Sequence, residues 1–251
     1  MNDKPLVSII TPAFNCLSTI LSTYESIKSQ TFLSWEWIVV EDHSTDGTFE
    51  YIKKLTESDN RVTLLRTSKN SGAAVARNTG IECAKGRYIA FLDADDLFKK
   101  EKLEKQIEFM QKNKYAFTFT DYDLMANNNI IGTHVIKHDL INYKMLLKSN
   151  FIGCLTAMYD SDIVGKVFMP LDCIKREDHG AWLDITRKGI EAKKLGESLS
   201  IYRLGDKTVS SNKLRMIKYQ YKLYRKHEKF GVLKSSWYVL VCSLYKIFKK
   251  Y

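Results

Sequence analysis

The chain has 251 residues, 45% of them hydrophobic, which suffices for one large α/β domain with appendages or for two small domains, and excludes a mostly disordered polymer. Its five cysteines (Cys16, Cys83, Cys154, Cys173, Cys242) include no CxxC pair, which argues against a disulfide framework or a zinc ribbon. The net charge of +10 sits in residues 213–251, which hold eleven Lys or Arg and one acid, Glu228; residues 1–212 carry 28 basic and 28 acidic residues and are neutral.

Taken in order, the first hundred residues alternate between two periods. Apolar, β-branched runs at 6–11, 35–40, 62–65 and 88–92 predict strands. Amphipathic stretches at 19–29, 48–56 and 73–84 predict helices between them. Strands apolar on both faces and separated by helices mean βαβ units around a buried parallel sheet. Further on, helices are expected at 102–110, 140–148 and 181–188, and strands at 115–120, 130–136 and 154–159. The run at 6–10 is too short for a signal peptide, and no run reaches the roughly 18–20 apolar residues that a spanning helix needs.

In such a sheet, ligands bind outside the strand C-termini. Three polar clusters fall there: residues 11–15 after the first strand, 41–47 after the second and 93–96 after the fourth. Asp93, Asp95 and Asp96 crowd three carboxylates into four residues. Such crowding calls for a hard divalent cation such as Mg²⁺ or Mn²⁺, which would also hold a diphosphate; the plainer alternative is a helix-capping turn. Phe14 offers a flat face to a base or sugar, or else is core. Asp42 ends an apolar strand, where its carboxylate can accept the N–H of a uracil. The sequence has no GxGxxG after the first strand and no GxxxxGK[ST], so neither a dinucleotide site nor a P-loop is supported. His134 and His138 are spaced i, i+4, but the stretch around them is β-like and has no HExxH pattern, so they do not suggest a zinc pair.

The run Val7-Ser8-Ile9-Ile10-Thr11-Pro12-Ala13-Phe14-Asn15, then Glu41-Asp42-His43-Ser44-Thr45-Asp46-Gly47-Thr48, then residues 72–78, then Phe91-Leu92-Asp93-Ala94-Asp95-Asp96, resembles the family 2 glycosyltransferases of the GT-A fold over about residues 5–205. The likeness is nearest to bacterial enzymes of O-antigen, capsule and teichuronic-acid synthesis. It implies a Rossmann-like, mostly parallel central sheet flanked by helices. Residues 1–212 would form the GT-A domain (1–98 the nucleotide half, 99–212 the acceptor half), followed by a basic amphipathic helical tail at 213–251. It also implies roles for single positions. Pro12, Ala13, Phe14, Glu41 and Asp42 would belong to the donor site, with Arg77 near the nucleotide. Asp93 and Ala94 would face the ribose or sugar, and Asp95 would bind Mn²⁺ or Mg²⁺. Arg203 would supply charge to the leaving diphosphate within a segment reaching Ser210-Ser211-Asn212; a surface-loop arginine is the alternative. Inversion needs one general base, and the resemblance points to Asp178, in Glu177-Asp178 at the start of a helix; the alternative is an acid that merely complements the helix dipole. His179 beside it departs from the family pattern, as does Glu41 from the commoner Asp.

The expected donor is a nucleotide-sugar, UDP-linked by the family comparison, and the expected acceptor a lipid-linked saccharide. In the tail, Trp237, Leu240, Val241, Leu244, Ile247 and Phe248 form one apolar helical stripe flanked by lysines. It suits either an anionic membrane surface or packing on the domain. The first option places the protein on the cytoplasmic, inner face of the cell membrane. A metal-dependent nucleotidyltransferase and a nucleic-acid-binding module acting through the tail are the competing classes. The neutral domain and the apolar stripe argue against nucleic acid.

Overall fold

In the computed structural model, residues 5–205 and 213–248 are described. β1 (Val7–Ala13), β2 (Trp35–Glu41), β3 (Val62–Arg66) and β4 (Tyr88–Phe91) are joined by α1 (Ile20–Lys28), α2 (Thr48–Ser58) and α3 (Ala73–Cys83). β2 is buried at all seven positions and β1 at six of seven, as expected of strands covered on both faces by helices. The order β3-β2-β1-β4 is parallel throughout. The order reverses about β1, which opens a crevice beyond the strand C-termini.

The second half extends the same sheet. After the two-residue β5 (Leu97–Phe98) and α4 (Lys102–Asn113) come β6 (Phe117–Ala126), β7 (Asn129–His134), β8 (Leu140–Ile141), α5 (Tyr143–Leu146) and β9 (Met158–Asp160). α6 (Ser161–Val164), α7 (Glu177–Arg187) and β10 (Ala192–Arg203) complete this half. Among the described residues, ten strands form one sheet in the order β3-β2-β1-β4-β9-β6-β10-β5, with β7 beside β6 and β8 beside β10. β9 runs antiparallel to both β4 and β6 and stitches the two halves together.

Several expectations are revised. The helix expected over 140–148 is instead the short β8 followed by the single turn of α5. Asn142 stands between them with extended backbone, and its side chain accepts the Met145 N–H at 3.1 Å, so the helix cannot begin earlier. The strand expected over 154–159 is a 3₁₀ turn, Cys154–Thr156, followed by β9. The twelve-residue β10 has no counterpart in the sequence reading. Its register on β6 slips between Leu195 and Ser200, and this irregularity around the exposed Gly196 and Glu197 breaks the period-2 pattern.

The C-terminal segment folds as α8 (Lys213–Lys222), a π-helical turn (Leu223–His227) and α9 (Val232–Phe248). Its first part is packed on the body. Leu223 and Tyr224 are buried, the Tyr224 hydroxyl donates to the Leu147 carbonyl at 2.7 Å, and Glu228 pairs with Arg187. No described helix is long and apolar enough to cross a membrane.

Candidate active site

The loops that follow β1, β2 and β4 enclose a crevice of about 580 Å³. Pro12, Ala13, Phe14, Asp42, Arg77, Asp93, Ala94 and Asp95 all line it, so eight of the positions named from the sequence converge. Phe14 is 49% exposed, a free ring face and not core. Asp42 is buried, and its carboxylate organises one wall. Oδ1 accepts from Thr67 Oγ1 at 2.6 Å and from the Ser71 N–H at 2.8 Å, and Oδ2 accepts from the Gly72 N–H at 2.7 Å. Gly72 has φ +88°, which lets the chain turn into α3 with both amides aimed at the carboxylate. A carboxylate oxygen has two lone pairs, so Oδ2 keeps one.

The turn after β4 has an uneven charge arrangement. Asp95 is exposed to the crevice, whereas Asp96 is 1% exposed and accepts the Arg203 N–H at 2.9 Å. Burial and then the Asp93 charge push the Asp95 carboxyl above its usual value; burial, Asp93 and Asp95 push Asp96 up further. Asp93 is tied to the buried Arg77, whose Nη2 donates to Oδ1 at 2.5 Å, while Arg77 Nη1 lies 3.4 Å from Glu177. This donor set suits a hard cation. One outward carboxylate with a second acid behind it supplies oxygen ligands and leaves positions open for phosphate oxygens.

α7 starts at Glu177, so the acids predicted to open a helix do so. Asp178 lines a second crevice, of about 380 Å³, together with Tyr122, His134 and Asn150. Asn150 Nδ2 donates to Asp178 Oδ2 at 2.9 Å, and burial and then Glu177 raise the Asp178 carboxyl above its usual value. Arg77 joins the two crevices: it lines the first, pairs there with Asp93, and lies 3.4 Å from Glu177, the neighbour in sequence of Asp178 in the second. His179 faces away from Asp178's crevice and is fully buried. Its Nε2 meets the Leu146 carbonyl at 2.7 Å, which makes that nitrogen the proton carrier, and Nδ1 faces Gln220 of α8 at 3.4 Å. It is a core histidine that joins α7 to α8.

Two predicted donor-site residues stand elsewhere. Glu41 is fully buried and does not line the crevice; its carboxylate pairs with Arg66 at 2.9 Å and accepts the Ser44 N–H, shaping the loop behind Asp42. Arg203 does not line it either. Its Nε donates to the Asp95 carbonyl at 2.8 Å and its Nη1 to Asn128 at 2.9 Å, so the side chain clasps the acidic turn from outside. Residues 210–212, expected to continue that segment, lie outside the described residues. Lys175, to which the sequence assigns no role, does line the crevice, held at φ +61°. Its place three residues before Asp178 was the available signal. Asn150 gave none.

A crevice at the strand-order reversal of a Rossmann-like sheet, with an outward carboxylate, a free aromatic face and a raised carboxyl next door, defines a GT-A nucleotide-sugar transferase architecture. The profile described as "Glycosyl transferase family 2" matches residues 8–168. The chain is 42% identical over 237 residues to the Bacillus subtilis protein TuaG, named as a teichuronic acid biosynthesis glycosyltransferase, covering 94% of both chains. It is 40% identical over 220 residues to the Escherichia coli UDP-Glc:alpha-D-GlcNAc-diphosphoundecaprenol beta-1,3-glucosyltransferase WfgD, covering 87% of this chain and 85% of that one. Among solved structures, the fold matches S. aureus TarS 1-349 in complex with UDP-GlcNAc (TM-score 0.69, 16% identity, 93% of this chain and 70% of that one). It also matches the mannosyltransferase PcManGT of Pyrobaculum calidifontis in complex with GDP-Man and Mn²⁺ (TM-score 0.68, 16% identity, 97% and 74%). The chain belongs to glycosyltransferase family 2. It is a glycosyltransferase of the GT-A fold, and the nucleotidyltransferase and nucleic-acid readings are not favoured.

Proposed function

We propose that this protein moves a sugar from a UDP-sugar to a hydroxyl of a lipid-linked saccharide, with inversion, in the synthesis of a bacterial surface polysaccharide. The observation that carries this reading is the adjacency of two crevices, one lined by Phe14, Asp42, Asp95 and Lys175 and the other by Asp178. The relatives' names support the choice of donor and acceptor.

In this reading the uracil lies against Phe14, and its N–H donates to the remaining lone pair of Asp42 Oδ2. Lys175 takes charge of the diphosphate. Asp95, with Asp93 behind it, would hold Mn²⁺ or Mg²⁺ together with diphosphate oxygens, and the ion would supply charge neutralisation for the departing UDP. Arg77 holds Asp93 in place and keeps Glu177 beside Asp178. Asp178 takes the proton of the acceptor hydroxyl, and the acceptor oxygen forms its bond to the anomeric carbon as the bond to the diphosphate breaks. UDP leaves with the electron pair. A raised carboxyl is the stronger base, which suits Asp178 to that step.

The tail helix supports a membrane location. On α9, Leu233, Trp237, Leu240 and Leu244 recur at i, i+4, i+7 and i+11 and are 88, 62, 51 and 41% exposed. Lys229 and Lys234 are exposed beside them. An uncovered apolar stripe with basic neighbours fits an anionic bilayer, here the inner face of the cell membrane reached from the cytoplasm.

The test is calorimetric titration of the full chain with UDP, GDP, ADP and dTDP, each with and without Mn²⁺. The reading expects metal-strengthened binding of UDP above the others, lost in Asp95→Ala. Absence of nucleotide binding by folded protein overturns it.

A further inference from the structure

Tyr245 belongs to the tail helix, yet it lines the crevice that holds Asp178. Its hydroxyl is 2.9 Å from His138 Nε2, and its ring meets Phe151 edge-on with centroids 5.2 Å apart. Phe151 in turn meets the His138 ring at 5.0 Å, so His138, itself outside the lining, braces the two rings that line the crevice. Tyr122 and His134, stacked at 4.9 Å, and the exposed Lys137 also line it.

The same helix shows its other face to solvent. Ser235 and Cys242 are buried and Tyr238 and Tyr245 half-buried on the inner side, whereas Leu233, Trp237, Leu240 and Leu244 are exposed. At about 100° per residue the two sets lie on opposite faces. One helix thus carries an apolar stripe outward and a crevice wall inward, and Leu244 and Tyr245 are neighbours in the chain.

We propose that this second crevice binds the sugar next to the diphosphate of a lipid-linked acceptor, and that Tyr245 contacts that sugar, making the tail helix a working part of the acceptor site. The inference rests on the assignment of Asp178 as base. The chemistry fits a saccharide. The flat faces of Tyr122 and His134 suit the C–H side of a pyranose, Asn150 and Ser149 offer groups for its hydroxyls, and Lys137 suits a phosphate at the rim. The lipid then leaves the crevice toward the surface on which the outer face of α9 rests. Acceptor recognition and membrane contact become two sides of one helix.

The probe is a water-soluble N-acetylglucosaminyl diphosphate with a short alkyl chain, titrated into the full-length protein with saturating UDP and Mn²⁺. Tyr245→Ala is expected to weaken probe binding by about tenfold or more, as loss of a packed aromatic contact does. Tyr245→Phe, which gives up only the hydroxyl, should stay within about threefold of the parent. UDP affinity should not change in either. Val135→Trp, at an exposed rim position where it fills the crevice without touching the core, should abolish probe binding and leave UDP binding intact; this variant decides the matter should Tyr245→Ala fail to fold. A Tyr245→Ala protein that binds UDP and the probe like the parent overturns the role of Tyr245. Parent protein that binds UDP but not the probe overturns the acceptor crevice. Parent protein that binds no UDP overturns the proposed function itself.

Discussion

Arg77 and Asp93 meet at 2.5 Å across sixteen residues of sequence, and the same guanidinium lies 3.4 Å from Glu177 of α7. One buried cation therefore ties the acidic turn of the first crevice to the helix that carries the candidate base. In Arg77→Met, Asp93 and Glu177 would face each other with no cation between them. Removing one partner of a fully buried pair costs about 3–5 kcal/mol. Asp93 is 36% exposed and can recover some hydration, so about 2–3 kcal/mol is expected. Denaturant unfolding should show that loss, and UDP titration should show weakened donor binding at temperatures where the variant is folded.

Asp178→Asn keeps the size of the side chain and removes the proposed base. Transfer should fall by about 10²–10⁴-fold while UDP binding in the neighbouring crevice persists. Steady-state turnover and calorimetry on the same preparation separate the two; normal turnover sinks the assignment. In the parent enzyme, kcat/KM should fall on the acid side as Asp178 takes up its proton. The midpoint should lie above the usual carboxylate value of 3.8, because burial and then Glu177 raise this carboxyl.

Lys102 gives a separate prediction about stability. Its ammonium is fully buried at the start of α4, 2.5 Å from Gln106 Oε1, and burial lowers its pKa from 10.5 to about 7. Between about pH 7 and 10.5 the unfolded chain holds a proton there that the folded chain lacks. The contribution to stability therefore rises with pH across that window, by up to about 1.4 kcal/mol per unit, and is flat below it. Lys102→Met should remove this slope and be the more stable protein at neutral pH. Urea melts of both proteins at pH 7 and 9 would measure the difference. An unchanged slope in the variant would show that Lys102 is not its source.

Trp237→Ser combined with Leu240→Ser removes the centre of the exposed stripe without touching the packed face of α9. Sedimentation with anionic phosphatidylglycerol vesicles should retain the parent and release the variant, while UDP binding and thermal melting match. Equal retention of both would remove the apolar stripe as the attachment surface.

The first half, β1 to β4, was legible because burial on both faces writes itself into β1, β2 and β4 as largely apolar runs, and glycines and acids punctuate their ends. Asp95, Phe14 and Asp42 could be placed at one edge from that pattern alone. Side-chain direction could not. Glu41 and Asp42 are adjacent at the end of one strand, and alternation turns one toward Arg66 and the other toward the crevice. Arg203 carries a charge that suits a diphosphate, and only the fold shows its Nε bonded to the Asp95 carbonyl. Strand β10 was lost because its bulge disrupts the period on which the reading depends, and β8 because two residues hold no period. Asn150 and Tyr245 reach the second crevice through loop and tail geometry, which leaves no mark on local sequence.

The clasp from β10 has a consequence for the order in which the molecule becomes competent. Asp96 is held by the backbone of a residue 107 positions downstream, and Asp95 by that residue's side chain. While the chain is being made, the acidic turn stays without its fastener until residue 203 has left the ribosome. A chain cut before β10 would lack the fastener of that turn. Completion of the acidic turn is thus deferred until β10 is available, long after β4 has been made.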